Sequence, residues 1–328
     1  MPLTAEEAYG LIVLHGIDLE RYGKTVVREV VSILETTQTD IEARLNGSYP
    51  DQDNLRSADS LRLRGVLEQI NTLQVSANAA LTDVIVTGIV TAASDEAAFV
   101  NRLGAGSVQA SANMAGVSEA QLIAAATRNP FEGKLLKDYA SELGANWRNR
   151  TRAQIVTGYM QGEPSQAIQR RLRNTVEISK RGADLVVRTG VTHLNVQATR
   201  IHAEQNLSLF PRYQWVSTLD SRTSPVCRAR AGKIYETGKG PVPPAHYRCR
   251  SRILNLAEGM DEAPELDYGS WLEGQSAETQ NDILGPTRRK LWKRGEVKLD
   301  RFVDRSGNQL TLDDLKKRNA KAFERAGI

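Results

Sequence analysis

The sequence predicts an α+β fold, in which a long, mostly α-helical N-terminal part precedes a small β-containing part and a helical C-terminal tail. Three observations carry this. Apolar residues recur at three- and four-residue spacing through most of the first two hundred residues. From Pro211 the text changes to short alternating runs broken by Gly and Pro, as short strands and turns require. Helical text resumes after Ser270.

Each element has its own signal. Thr4 ahead of Ala5, Glu6 and Glu7 marks a helix N-terminus, and from Leu19 to about Leu45 the residues Val26, Val27, Val30, Val31, Ile33 and Leu34 recur near helical spacing until Asn46-Gly47 stops the run. Ser48 to Asn54 reads as a turn. A long helix should run from about Ala58 to Leu103, with Leu63, Val66, Leu67, Ile70, Leu73 and Val75 on one face and Gly104-Ala105-Gly106 closing it. Ser118 with Gln121 forms a capping box for a short helix ending near Asn129-Pro130.

A further helix, from about Lys134 to Met160, offers Leu135, Leu136, Tyr139, Leu143, Trp147, Ile155 and Tyr159 as core positions. It is interrupted in pattern by Gly144 and Gly158. The pattern resumes from Ala167 to about Asn206, with a break expected near Arg181-Gly182. Beyond Pro211, Tyr213, Trp215 and Ser217 alternate, Lys233-Ile234-Tyr235 reads as a strand, and YRCRSRILNL (residues 247–256) as a returning one.

Composition narrows the function classes. A chain of 328 residues has room for about two domains. Its 25% charged residues argue against wholesale disorder. The most apolar run, Leu81 to Val90, carries Asp83 and is far shorter than ~18 uninterrupted apolar residues, so a membrane span is not expected. The N-terminus MPLTAEEAYG lacks the basic-then-apolar order of a secretory signal, so secretion is not expected either. Two cysteines, Cys227 and Cys249, rule out a disulfide framework but leave open a single bridge or shared metal ligation.

The net charge of +4 is segmental. Residues 151–255 hold 17 Lys and Arg against 6 Asp and Glu, a net +11, whereas residues 256–281 carry −7. Such a basic block suits either solvated helix faces or an anionic partner such as DNA.

The densest constellation is Trp215, Asp220, Arg222, Thr223, Cys227, Pro243, Pro244, His246, Cys249 and Arg250. Cys227, His246 and Cys249 are the residue types of three zinc ligands, with Asp220, His202 or water as the fourth. A metal-free apolar knot fits the same residues. Asp220 ahead of Arg222-Thr223 reads as a turn carboxylate accepting backbone donors, with a catalytic acid as the alternative. Arg248, Arg250 and Arg252 would share one face if they lay on a strand, making them candidates for phosphate contact, with Arg170, Arg171 and Arg173 on the helical side. Phosphate-loop, dinucleotide, nucleophile-elbow and H-E-x-x-H signatures are all missing.

At WVSTLDSRTSPVC (Trp215 to Cys227), AGKIY from Ala231 and PPAHYRCR (Pro243 to Arg250) the chain resembles the phage minor head proteins similar to the F protein of bacteriophage Mu, also called head morphogenesis proteins. Ala183 to Asn195 resembles that family's R-T-E helix, and WLEGQ from Trp271, NDILGP from Asn281 and LTLDDL from Leu310 its tail. Gly190 stands where the family often has Glu. Ser224 and Ser251 stand where many members place further cysteines, so structural zinc is expected at most at partial occupancy.

The resemblance implies a helical N-terminal domain over 1–180, a Mu F-like core over 181–257, and an acidic linker with helical tail over 258–328. It implies a non-enzymatic minor capsid protein inside the virion head near the portal, present in host cytoplasm during assembly and acting in capsid assembly and DNA packaging or delivery. Its partners would be the portal protein, other head proteins and packaged DNA. The competing reading is a metal-dependent enzyme acting on nucleic acid, built on Cys227, His246 and Cys249. A plain DNA-binding module using the +11 block is a third.

Overall fold

Thr4 opens the chain as its residue type requires: its hydroxyl accepts from the Glu7 amide at 3.2 Å, and the Glu7 carboxylate accepts from the Thr4 amide at 2.8 Å. A computed structural model describes residues 2–48, 60–108, 114–131, 133–260, 268–304 and 308–328. The turn expected over 48–54 falls largely outside these residues, as does most of the acidic linker. The helices are α1 (Ala5–Ser48), α2 (Ser60–Ser107), α3 (Glu119–Arg128), α4 (Leu136–Gln161), α5 (Ser165–Gln205), α6 (Pro225–Arg230), α7 (Tyr268–Glu273), α8 (Ala277–Leu284), α9 (Pro286–Lys293), α10 (Leu312–Arg318) and α11 (Ala320–Ala326). Strands β1 (Arg212–Val216), β2 (Ile234–Glu236) and β3 (Arg252–Leu256) form an antiparallel sheet in the order β2-β1-β3. Gln214 lies opposite both Ile234 and Leu254. The fold is α+β, as expected.

Two compact units are present, one of Met1–Ile17, Glu96–Val117 and Asn195–Ile328, the other of Asp18–Asp95 and Ser118–Leu194. They interleave along the chain, whereas the segments expected from sequence are consecutive.

The second unit is helical. Val26, Val30, Leu34 and Ile41 of α1, Leu81 and Ile85 of α2, Trp147 and Ile155 of α4, and Leu172 and Val187 of α5 are buried at helical spacing. The Ser118 capping box is present in both directions. Helix α4 runs through Gly144 and Gly158 as a single element, and the break expected near Arg181-Gly182 in α5 does not occur, because Gly144 and Gly182 are contact points with neighbouring helices. A Cβ on Gly144 would lie 1.8 Å from Asn78 Oδ1, and one on Gly182 would lie 2.7 Å from Leu143 Cδ1. Gly190 is closely approached as well: a Cβ there would lie 2.4 Å from Ile89 Cδ1, so the Glu that the resemblance implies at this position would have to displace that methyl group.

On α2, Val75 is exposed rather than part of the apolar face, because Gln74 takes the buried position and donates to Thr151 Oγ1 at 3.0 Å. Residues 63–107 make a helix long and apolar enough, by length and composition, to cross a membrane. Its buried stripe of Val66, Ile70, Leu81, Ile85 and Ile89, backed by exposed Glu68, Asn71 and Asp83, is the pattern of a protein-core helix.

In the first unit the sheet is covered on both faces. Leu254 and Leu256 pack on Ala5, Ala8 and Ile12, while Tyr213 and Ile253 pack on Val196 of α5. The alternation of side chains along a strand produces this two-sided burial. Helix α2 runs through Gly104 and Gly106 rather than ending before them; Gly104 faces the His202 ring, where a Cβ would meet Cε1 at 2.3 Å. Glu96, fully buried, accepts from Asn195 Nδ2 at 2.9 Å and lies 2.7 Å from His15 Nε2, whose ring stacks on Phe99. The tail has a core of its own, with Tyr268, Leu272, Leu291, Phe302, Leu315 and Phe323 gathered around Ala231.

Gly144→Ala should lower stability by ~1–2 kcal/mol, because overpacking outweighs the ~1 kcal/mol gain in helix propensity. Urea unfolding checks this, and an unchanged or raised midpoint contradicts the close helix approach.

Burial lowers the His202 imidazole to about 4 from its usual 6.5. A depressed histidine contributes stability above its unfolded value that is lost as the proton is forced on, so pH 6.5 to 4 is the window. His202→Phe should flatten ~2–3 kcal/mol of the pH dependence of unfolding across that window. Parallel curves for parent and variant would remove His202 as the cause.

Candidate functional site

Trp215 at the middle of the sheet organises the knot. Fully buried on β1, it packs with Val226, Cys227 and Cys249, and Arg230 lies over its ring at 5.1 Å. Its indole N–H donates to Ser217 Oγ at 3.0 Å, and that hydroxyl donates to the Cys227 carbonyl at 2.8 Å. Large apolar area and a satisfied polar edge together make this a rigid anchor.

The turn after β1 is built on Asp220. Its carboxylate accepts the Arg222 amide at 3.0 Å and is gripped at two points by Arg250, at 2.6 and 2.7 Å. Burial works to raise the Asp220 carboxyl, but the Arg250 guanidinium and the Arg222 amide and side chain outweigh it and hold the group down at about 2. The Thr223 hydroxyl donates to the Thr218 carbonyl, and Tyr268 OH to the Asp220 carbonyl at 2.7 Å. Asp220 is therefore a turn carboxylate held by an arginine.

Ser224 caps α6, accepting from the Cys227 amide at 3.4 Å, and this first turn delivers Cys227 inward. From the other side, Pro243-Pro244 (a cis peptide) leads into His246, and the Cys249 amide donates to the His246 carbonyl at 3.1 Å. Arg248 within that turn takes the left-handed conformation, φ 59°, which a side chain adopts only under local constraint. The result places Cys227 Sγ 3.7 Å from Cys249 Sγ and 3.4 Å from His246 Nε2. Neither thiol is part of a disulfide, and both are buried. His246 Nε2 also lies 2.8 Å from Ser224 Oγ, and Nδ1 lies 2.7 Å from the Tyr247 carbonyl. The Cys249 thiol is lowered by the hydrogen bond from Cys227 and by His246, while Cys227 is raised by Cys249 and by burial; His246 is raised chiefly by its bond to Cys249.

Among the described residues Cys227, His246 and Cys249 are the three donor groups that converge; neither Asp220 nor His202 joins them. A pocket of about 20 Å³ adjoins them, lined by Thr218, Arg222, Ser224, His246, Arg248 and Ser251 among others. The larger cleft of the same unit, about 650 Å³, is lined by Arg228, Lys233, Tyr268, Trp292 and Asp300 and includes none of the three.

The expected arginine face does not form. Strand β3 starts at Arg252, so Arg248 and Arg250 lie in the preceding turn. Arg250 is committed to Asp220, and Arg252 is buried, donating to the Gly16 carbonyl at 3.0 Å and the Arg250 carbonyl at 2.9 Å. On the helical side Arg171 pairs with Glu163 and Arg173 with Glu42, while Arg170 is exposed. Sequence reasoning missed the His15, Glu96 and Asn195 group. Its signal was present: Glu96 falls in register with the buried positions Ala92, Ala93 and Val100.

Residues 149–254 match the family described as Phage Mu protein F like protein. This segment is Mu F-like. It runs from within α4 to β3 and contains Trp215, Asp220 and the three converging donors. The match begins earlier than the resemblance seen at Ala183 and stops before the tail motifs. No curated protein and no solved structure matches the chain.

Trp215→Ala should cost ~3–5 kcal/mol, as for other large buried aromatics. A thermal melt with an unchanged midpoint would show the ring is not the anchor. Asp220→Ala should cost ~2–3 kcal/mol near neutral pH by stranding Arg250. Since the lowered carboxylate contributes above its ordinary 3.8 and loses that contribution as pH falls toward 2, the parent–variant gap should close over that range. A gap that stays constant down to pH 2 would contradict the pairing.

Proposed function

We propose that the protein is a minor capsid protein of a tailed bacteriophage, located inside the head near the portal and assisting capsid assembly and DNA packaging or delivery. The observation that supports this reading is the match of residues 149–254 to the Mu F-like family, which suggests a phage head morphogenesis protein. In this reading the Mu F-like core supplies the interaction surface, with the portal and other head proteins as partners.

The site geometry supports a structural rather than a catalytic role. Small-molecule sites usually occupy about 300–1,000 Å³, and the space beside Cys227 and His246 is far below that. Asp220, the carboxylate at the knot, is spent on Arg250 and is not poised to activate water. Arg250 and Arg252 are likewise engaged within the protein, so a DNA contact would draw on other cations of the +11 block.

Mass spectrometry of purified virions, before and after triggered DNA ejection, tests the placement. The protein should be present in few copies per particle relative to the major capsid protein. Its absence from particles, or a copy number equal to that of the major capsid protein, would overturn the reading.

A further inference from the structure

Two thiols and an imidazole converge from separate segments, and their spacing is that of ligands around one small cation. Zinc bonds of about 2.3 Å to sulfur and about 2.05 Å to nitrogen, at tetrahedral angles, put two sulfurs about 3.8 Å apart and a sulfur about 3.6 Å from the nitrogen. The observed separations are 3.7 Å and 3.4 Å. A disulfide would need the sulfurs about 2.05 Å apart. The imidazole is oriented for the task as well. The Tyr247 carbonyl can only accept, so Nδ1 carries the proton and Nε2 presents its lone pair to the thiols. Ligating histidines are held in this manner by a backbone acceptor on the other ring nitrogen.

We propose that Cys227, His246 and Cys249 bind one zinc ion in a tetrahedral structural site whose fourth ligand is water. The pocket of about 20 Å³ has room for a single water, and Ser224 and Ser251 line it as hydrogen-bonding partners. The serines at these positions thus hold the fourth ligand in place of supplying one, and full occupancy replaces the partial occupancy that sequence suggests. The ion ties the first turn of α6 to the turn ahead of β3, two segments otherwise joined by the Trp215 cluster and the Asp220–Arg250 pair. On binding, the two thiols give up their protons to solvent and the imidazole loses none.

The full chain, expressed in zinc-supplemented medium and purified under reducing conditions without chelator or histidine tag, should carry one zinc per chain by elemental analysis. Cobalt(II) added to zinc-depleted protein should give a thiolate-to-cobalt charge-transfer band and intense visible bands of tetrahedral geometry, both abolished by added zinc. Cys249→Ser and His246→Ala should each weaken zinc binding by at least ~100-fold, and Ser224→Ala by about tenfold or less. Failure of the unsubstituted protein to bind zinc, or a cobalt spectrum without the thiolate band, overturns the proposal whatever the variants do. So does a thiolate band of undiminished intensity in cobalt-saturated, folded Cys249→Ser, where Cys227 alone remains as a thiolate, or a Cys227–Cys249 disulfide in the reduced preparation.

Discussion

The two-point pair between Asp220 and Arg250 is the constraint around which the small α+β part is built. It joins the turn after the central strand to the segment entering the last one, and so closes the loop that contains α6, β2 and the proline-rich segment. Tyr268 bonds the same turn through the Asp220 carbonyl, which brings the tail's core against it. An ion pair of this kind contributes little net energy over well-packed apolar groups, but it is costly to break and its geometry is directional. What it supplies is register: Arg250 is held at Asp220 while the neighbouring Cys249, with His246, lies against Cys227.

The charge distribution takes on a different meaning in three dimensions. A block of +11 invites an anionic partner, yet several of its arginines are used internally. Arg250 holds a turn, Arg252 caps the Gly16 carbonyl of α1, and Arg171 and Arg173 pair with carboxylates. Planar, multiply donating guanidinium groups suit such roles, in which one side chain satisfies acceptors from two segments. Excess positive charge in a sequence segment is thus not the same as a positive surface.

Much of the fold was legible because it follows from local rules. Thr4 and Ser118 cap their helices, the apolar spacing of Val26, Val30 and Leu34 faces the core, and Tyr213 and Trp215 alternate on a strand. The residues of the knot were legible as well, since Trp215, Asp220, Cys227, His246 and Cys249 gather in one stretch of unusual composition and in a recognisable family pattern. The readings that failed concerned glycines and arginines. Gly104, Gly144 and Gly182 look like helix breaks by propensity, but each lies where a neighbouring side chain reaches the helix backbone, and that contact is invisible along the chain.

By itself, the sequence determined which segments are helical, where the β-containing part begins, and which residue types are available for the knot, because capping, periodicity and turn chemistry act over a few residues. Only the tertiary structure decided that the helices run unbroken through their glycines, that Arg250 and Arg252 turn inward, and that Cys227 meets His246 and Cys249. Those outcomes depend on contacts between segments far apart in the chain, such as Cys227 with Cys249, 22 residues apart, and Gly16 with Arg252, 236 apart. Packing density and the need to pair buried polar groups select among them, and neither is a property of any local stretch of chain.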